Sequence, residues 1–168
     1  PVLQSPVSPP GIVFYRTGAV DALPGPDELP GPDSREAYQI SITPEGAEVR
    51  ARSSAGLYFA AQTMRQMVEE MTGEKYLPVA TIRDWPSLAY RGFMMDTSHG
   101  GHLTEVEIKR QIEFASRWKN NQYYLYAEAS IELKGYSLLN PGSVYTAAEI
   151  AGIVKYARDR HIDVGAGA

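Results

Sequence analysis

Apolar and polar residues alternate first in residues 37–43 (AYQISIT), which put Tyr38, Ile40 and Ile42 on one face. Residues 47–52 (AEVRAR) alternate again, with Ala47, Val49 and Ala51 opposite the arginines. Pro44-Glu45-Gly46 between them is turn chemistry, so the pair reads as a hairpin with one wet face. Residues 12–17 (IVFYRT) are an earlier strand candidate. The period then changes. Leu57, Ala60, Ala61, Met64, Met67, Val68 and Met71 recur at helical spacing, Ser53 and Ser54 offer an N-cap, and Gly73 offers a stop. Residues 77–83 (LPVATIR) read as another short strand. The first half is therefore strands plus one helix, ending near Asp84-Trp85-Pro86.

The second half has a different rhythm. Residues 90–96 (YRGFMMD) read as a strand. Thr104 with Glu107 three residues on is a capping box, followed by the apolar stripe Ile108, Ile112, Ala115 and Trp118. Residues 122–128 (QYYLYAE) read as a second strand, and a loop with Gly135, Pro141 and Gly142 follows. Thr146 and Glu149 form a second capping box, with Ile150, Ile153, Val154 and Ala157 behind it. Residues 161–164 (HIDV) begin a third strand. Order β-α-β-α-β builds a parallel sheet with right-handed crossovers. A (β/α)8 barrel takes roughly 250 residues, about 31 per unit, so residues 90–168 hold about two and a half units. The closing Gly165-Ala166-Gly167-Ala168 reads as a cut end or linker.

Composition narrows the function classes. The chain has 168 residues, 43% hydrophobic and 21% charged, as in ordinary globular domains. Sixteen basic residues against twenty acidic give a net charge of −4, which disfavours a general nucleic-acid binder. No apolar run approaches the roughly 18 residues of a membrane span. Absence of cysteine excludes disulfides, thiolate zinc sites and cysteine nucleophiles. Eight of the twelve prolines lie in the first 32 residues, so that stretch reads as extended or loop, with residues 24–36 exposed and mobile. The chain opens on Pro1, which suits a processed or trimmed product, with a secreted or periplasmic setting favoured. Three segments result: a Pro-rich segment with one strand (1–34), the rest of an α+β domain with an antiparallel sheet and helix (35–86), and a truncated α/β segment (87–168).

Three stretches in order carry a family resemblance. Residues 54–67 (SAGLYFAAQTMRQM), 77–86 (LPVATIRDWP) and 90–98 (YRGFMMDTS) together resemble glycoside hydrolase family 20, the β-N-acetylhexosaminidases. The likeness covers about residues 35 to 164. It implies that residues 87–168 are the first β-α-β-α-β of a TIM barrel. It also implies hydrolysis of terminal β-linked N-acetylhexosamine by a substrate-assisted retaining mechanism, with no metal or organic cofactor. The family's catalytic Asp-Glu pair sits at the end of the fourth barrel strand, so no catalytic residue is expected within this chain, and the chain alone is expected to be inactive. Two departures stand out. His99-Gly100-Gly101-His102 replaces the usual Arg-His after strand one, and residues 127–133 (AEASIEL) replace an acidic, tryptophan-containing stretch. A non-catalytic carbohydrate-binding or scaffolding relative is the alternative, and a bare fragment without function of its own is another.

Three substrate-binding residues are expected. The resemblance implies that Arg91 holds sugar hydroxyls, where a guanidinium fork suits vicinal oxygens; the alternative is an ion pair with Asp96 or Asp84. Asp96 and Glu128 stand at the carboxyl ends of strands, where barrel enzymes place their chemistry; the alternatives are a helper carboxylate and an exposed loop carboxylate. His99 and His102 offer too few ligands for zinc and read as loop histidines bonded to neighbours. His161 reads as structural. At least two of Tyr123, Tyr124 and Tyr126 read as core, while Tyr136 and Tyr145 are placed to meet ligand. An open third strand is a template for pairing, so the isolated chain is expected to self-associate or to survive only beside the rest of its own barrel. The uncovered inner faces would then be those of Phe93, Met95, Tyr124 and Tyr126.

Overall fold

The computed structural model describes residues 11–19, 28–71, 73–99, 101–128, 130–139 and 142–167. Residues 1–10 and 20–27, and with them most of the Pro-rich segment, lie outside these, as do Gly100, Asn140, Pro141 and Ala168. The described residues form two compact units, one of residues 11–19 and 29–89, the other of Glu28 and the residues from Tyr90 onward.

In the first unit, β1 (Ile12–Arg16), β2 (Tyr38–Thr43), β3 (Gly46–Ala51) and β6 (Ala80–Asp84) form one sheet in the order β1-β3-β2-β6. The hairpin is as its alternation predicts, with Tyr38, Ile40, Ile42, Ala47, Val49 and Ala51 all buried. They pack against α1 (Ser54–Met67) through Ala55, Phe59, Ala60 and Met64. The sheet is mixed rather than antiparallel, because β1 pairs in parallel with β3. A tight turn would force antiparallel pairing; the long link from β1 to β2 does not. Ser53 caps α1, its hydroxyl accepting from Gly56 N–H at 3.1 Å and donating to the Arg35 carbonyl at 2.5 Å. A Cβ on Gly56 would lie 2.7 Å from Ala37 O and from Ala51 Cβ, so glycine is what lets the helix lie this close to the sheet.

Two expectations fail in this unit. The helix ends at Met67 instead of running to Gly73, and β4 (Glu69–Met71) pairs with β5 (Glu74–Tyr76) in a small hairpin. Gly73 is its turn residue at φ 82°, a left-handed conformation that glycine adopts without strain. The end of the 24–36 loop is not exposed either. Ser34 and Glu36 are buried, and the Ser34 hydroxyl accepts Glu36 N–H at 3.1 Å.

The second unit is β7 (Gly92–Asp96), α2 (Glu105–Arg117), β8 (Gln122–Tyr126), α3 (Ala147–Arg158) and β9 (Asp163–Gly167), with one 3-10 turn at Ser137–Leu139. The strands run parallel in the order β7-β8-β9, and no barrel closes among the described residues. Both helices cover one face, where Ile108, Ile112, Ala115, Ile153 and Ala157 enclose Tyr123 and Leu125. Arg160 joins the helices: its Nε donates to Glu113 Oε2 at 2.7 Å, and its guanidinium lies 3.5 Å over the Tyr156 ring. Thr146 and Glu149 make the full capping box on α3. On α2 only the Thr104 half forms, because Glu107 turns to Arg110.

Residues 165–167 are not a linker but the middle and end of β9, while residues 161 and 162 precede it, with His161 in a turn at φ 57°. A Cβ on Gly165 would stand 2.7 Å from the Tyr124 ring, so the glycine makes room for that ring. Trp118 leaves the predicted stripe; it caps α2 and is 61% exposed. The facing of the strands also differs from expectation. Phe93 pairs in register with Tyr123 and meets it edge-on at 5.1 Å on the helix side. Met94 and Tyr124 are the exposed pair on the other face, so only Tyr123 of the three tyrosines is core.

Candidate functional site

Residues from two strand ends meet at the carboxyl edge of the parallel sheet. Asp96 closes β7, and the chain turns back on its carboxylate. Oδ1 accepts the N–H groups of Ser98 at 2.8 Å and His99 at 3.0 Å, while Oδ2 meets His99 Nδ1 at 2.9 Å. An aspartate bonding backbone two and three residues on is a common loop-start device. Here it also fixes an imidazole. The His99 ring lies 6.1 Å from that of Tyr126 at 23°, and Tyr126 Oη donates to Glu128 Oε1 at 2.5 Å. Glu128 N–H in turn donates to Ser98 Oγ at 2.9 Å.

Beneath this rim the strand ends are stitched. Thr97 N–H and Oγ1 both donate to the Tyr126 carbonyl, at 3.0 and 2.9 Å. The Thr97 hydroxyl has one proton, so the 2.7 Å contact with Ser130 Oγ is a donation from Ser130. Thr97 and Ser130 are buried, whereas His99 and Glu128 are exposed.

The electrostatics follow from these bonds. The N–H groups of His99 and Ser98 hold the Asp96 carboxyl below its ordinary range. The bond to Asp96, then the charges of Asp96 and Glu128, push the His99 imidazole up. The bond to Glu128 raises the Tyr126 phenol, which therefore stays a donor at neutral pH. The rim thus presents two carboxylates, an imidazole biased toward its cation and a phenol.

Of the three expected site residues, Asp96 and Glu128 are brought together through His99, Ser98 and Tyr126. Arg91 stands before the other end of β7, about 16 Å away along an extended strand. There its Nε and Nη2 donate to the Lys119 carbonyl at 2.9 and 2.8 Å. Its N–H donates to Asn121 Oδ1 at 2.9 Å, and Asn121 is fully buried. Tyr145 does not face ligand. It is 1% exposed, bridges to Ile131 and donates to the Leu103 carbonyl at 2.6 Å. Its backbone pairing with residues 130–132 draws it into the core, while Tyr136 is exposed. His102 stacks on Tyr145 at 4.0 Å, away from His99, so H-x-x-H does not converge. His99 and Tyr126 complete the rim; the D-x-x-H spacing straight after a strand is the sequence signal for His99, and nothing local signals Tyr126.

Comparison with known proteins bears on the family of the chain. The sequence profile of glycosyl hydrolase family 20, domain 2, matches residues 10–85. The β-hexosaminidase of Porphyromonas gingivalis is 30% identical over 154 residues, 77% of this chain. The solved β-N-acetylhexosaminidase of Bacteroides fragilis is 29% identical with a TM-score of 0.73, over 92% of this chain. The chain belongs to glycoside hydrolase family 20. A mutant Streptomyces plicatus β-hexosaminidase of the same kind, 28% identical with a TM-score of 0.70 over 93% of this chain, was solved in complex with product (GlcNAc). The chain spans 20% of the Porphyromonas protein, 32% of the Bacteroides chain and 33% of the Streptomyces chain. Both units of this family 20 chain thus have counterparts in solved relatives.

Proposed function

We propose that this chain is the N-terminal part of a β-N-acetylhexosaminidase, contributing an α+β domain and the opening β-α-β-α-β of a (β/α)8 barrel. The observation that carries the reading is the Asp96–His99–Tyr126–Glu128 rim at the carboxyl ends of parallel strands, in a chain of this family. In this reading Asp96 and Glu128 accept hydrogen bonds from hydroxyls of a terminal N-acetylhexosamine, with His99 and Tyr126 holding the two carboxylates in place. Arg91 holds the opposite end of the β7–β8 pair through the Lys119 carbonyl.

The reaction proposed for the whole enzyme is substrate-assisted, the scheme in which the 2-acetamido group replaces a protein nucleophile. Its carbonyl oxygen attacks the anomeric carbon as the bond to the leaving oxygen breaks. A glutamic acid gives its proton to that oxygen, and an aspartate orients the acetamide. Water then attacks the anomeric carbon and gives a proton to the glutamate, as the bond from that carbon to the acetamido oxygen breaks. Both of these carboxylates belong to a fourth strand that these 168 residues do not include.

The test is a chromogenic N-acetylglucosaminide assay on two proteins. A longer protein containing this sequence should cleave it, and its Asp96→Asn variant should lose about 10- to 100-fold in kcat/KM, the worth of one charge-assisted hydrogen bond. The 168-residue chain alone should not cleave, since general acid catalysis by itself supplies about 10²–10⁴-fold. Turnover by the 168-residue chain, or full activity in Asp96→Asn, would refute the assignment.

A further inference from the structure

The outer face of the mixed sheet carries a cationic row that plays no part in the reading above. Strand pairing sets Tyr15, Arg50, Gln39 and Arg83 side by side across β1, β3, β2 and β6. These positions point away from Tyr38, Ile40 and Val49, which face α1. Neighbouring strands lie about 4.8 Å apart, so the backbones of Arg50 and Arg83 flank Gln39 at a separation of about 10 Å. With Arg52, Thr17 and Trp85 they line an open cavity of about 420 Å³. Trp85 is 44% exposed.

Charge in this cavity is unbalanced. Arg50 stacks on the Tyr15 ring at 4.8 Å and pairs with Glu48, which fixes its guanidinium. Arg52 Nη1 donates only to a carbonyl, that of Asp33, at 3.3 Å. The Arg83 side chain makes no hydrogen bond or ion pair among the described residues. The one carboxylate in the lining is Asp84, whose oxygens accept the Tyr38 hydroxyl and Trp85 N–H, the latter at 2.9 Å. With Glu48 counted, three guanidiniums therefore meet two carboxylates, a local cationic excess on a chain whose net charge is −4.

We propose that this face binds an acidic oligosaccharide. A guanidinium fork matches a sulfate or carboxylate bidentately. Two such forks, on strands whose backbones lie about 10 Å apart, suit anionic groups on alternate sugars. The Gln39 amide between them both donates and accepts, as hydroxyls require. The Trp85 indole offers a flat apolar surface, with its N–H at one edge, to the C–H face of a pyranose. A nucleic acid would also meet cations and an aromatic ring, but successive bases need a series of stacking surfaces, and Trp85 is the one exposed aromatic side chain in this lining.

The full chain is titrated with a chondroitin sulfate hexasaccharide at about 50 mM salt, where screening is modest, and binding is read by calorimetry. Saturable binding that weakens as salt rises is expected. The Arg50→Gln/Arg83→Gln double variant should bind at least ~10-fold more weakly at an unchanged melting temperature. If the double variant melts lower, the single Arg83→Gln variant, which breaks no bond among the described residues, carries the test and should still lose affinity. Trp85→Ala should weaken the hexasaccharide but not inorganic sulfate. No saturable binding, equal affinity in the Arg83→Gln variant, or sodium sulfate binding as tightly as the hexasaccharide would overturn the proposal. Equal binding of single-stranded DNA would overturn it in favour of a general polyanion surface.

Discussion

Asp96 and His99 titrate in opposite senses, and their contact lives between the two. The imidazolium has its value raised, so its contribution is full at low pH and is lost as pH climbs through that raised value. The carboxyl has its value lowered, so its contribution is full at high pH and is lost as pH falls through that lowered value. An NMR titration of the His99 ring should therefore show a midpoint above the ordinary imidazole value of about 6.5. Asp96→Asn should bring it back down, and an unmoved midpoint would show that the pair does not hold in solution. Arg91 calls for a different measurement. Its two N–H groups converge on one carbonyl, a geometry lysine does not reproduce. Arg91→Lys should cost about 1 kcal/mol of stability in urea melts and leave GlcNAc binding by the longer protein unchanged. The carboxylates at the strand ends were legible from the strand pattern alone. The distance of Arg91 from them was legible too, because residues 91 and 96 bracket an extended strand. The stacking of His99 on Tyr126 was not legible, since it depends on how two loops meet.

Caps and turns decide where the elements stop. Two similar boxes, Thr104/Glu107 and Thr146/Glu149, fold differently because Arg110 lies one turn beyond Glu107 and takes its carboxylate. Glu149→Ala should therefore cost α3 about 0.5–1 kcal/mol through the N-cap, whereas Glu107→Ala should lose only an exposed ion pair worth a few tenths. Urea midpoints of the two variants check the ordering. The end of α1 shows what periodicity cannot carry. Val68 and Met71 continue the helical stripe, but Glu69 and Glu70 also fit a two-stranded ribbon with Lys75 and Tyr76, and Gly73 favours its turn. Periodicity over one turn does not separate the two. The alternating hairpin was legible throughout because it buries one face over the length of both strands. The parallel joining of β1 was not, since nothing local records which neighbour a strand takes.

Each unit buries its own cluster, one around Ile40, Val49 and Phe59, the other around Ile108, Ile112 and Tyr123. The clusters share no residue. Ile40→Val and Ile112→Val should each cost about 0.5–1.5 kcal/mol. Their sum should predict the double variant to within about 0.5 kcal/mol, as for sites without common partners. Coupling well beyond that would show that the two clusters communicate. The change of rhythm from hairpin to alternating strand and helix already separated these clusters in the sequence. The choice of which strand face is covered was less legible. Register pairs Phe93 with Tyr123 on the helix side, and that register is set by backbone bonds from Asn121 to Arg91, not by any side-chain pattern.

Thr97, Ser130 and the Tyr126 carbonyl lock the two strand ends together beneath Asp96, His99 and Glu128. Fixing a loop costs conformational entropy whenever it happens. Here that ordering takes place as the chain folds, so a ligand reaching the rim meets groups already in position. Recognition at such a rim gains affinity from preorganisation rather than from added contacts. A Thr97→Val change, which leaves every exposed group in place, would move that ordering to the moment of encounter and slow association more than it alters the surface presented.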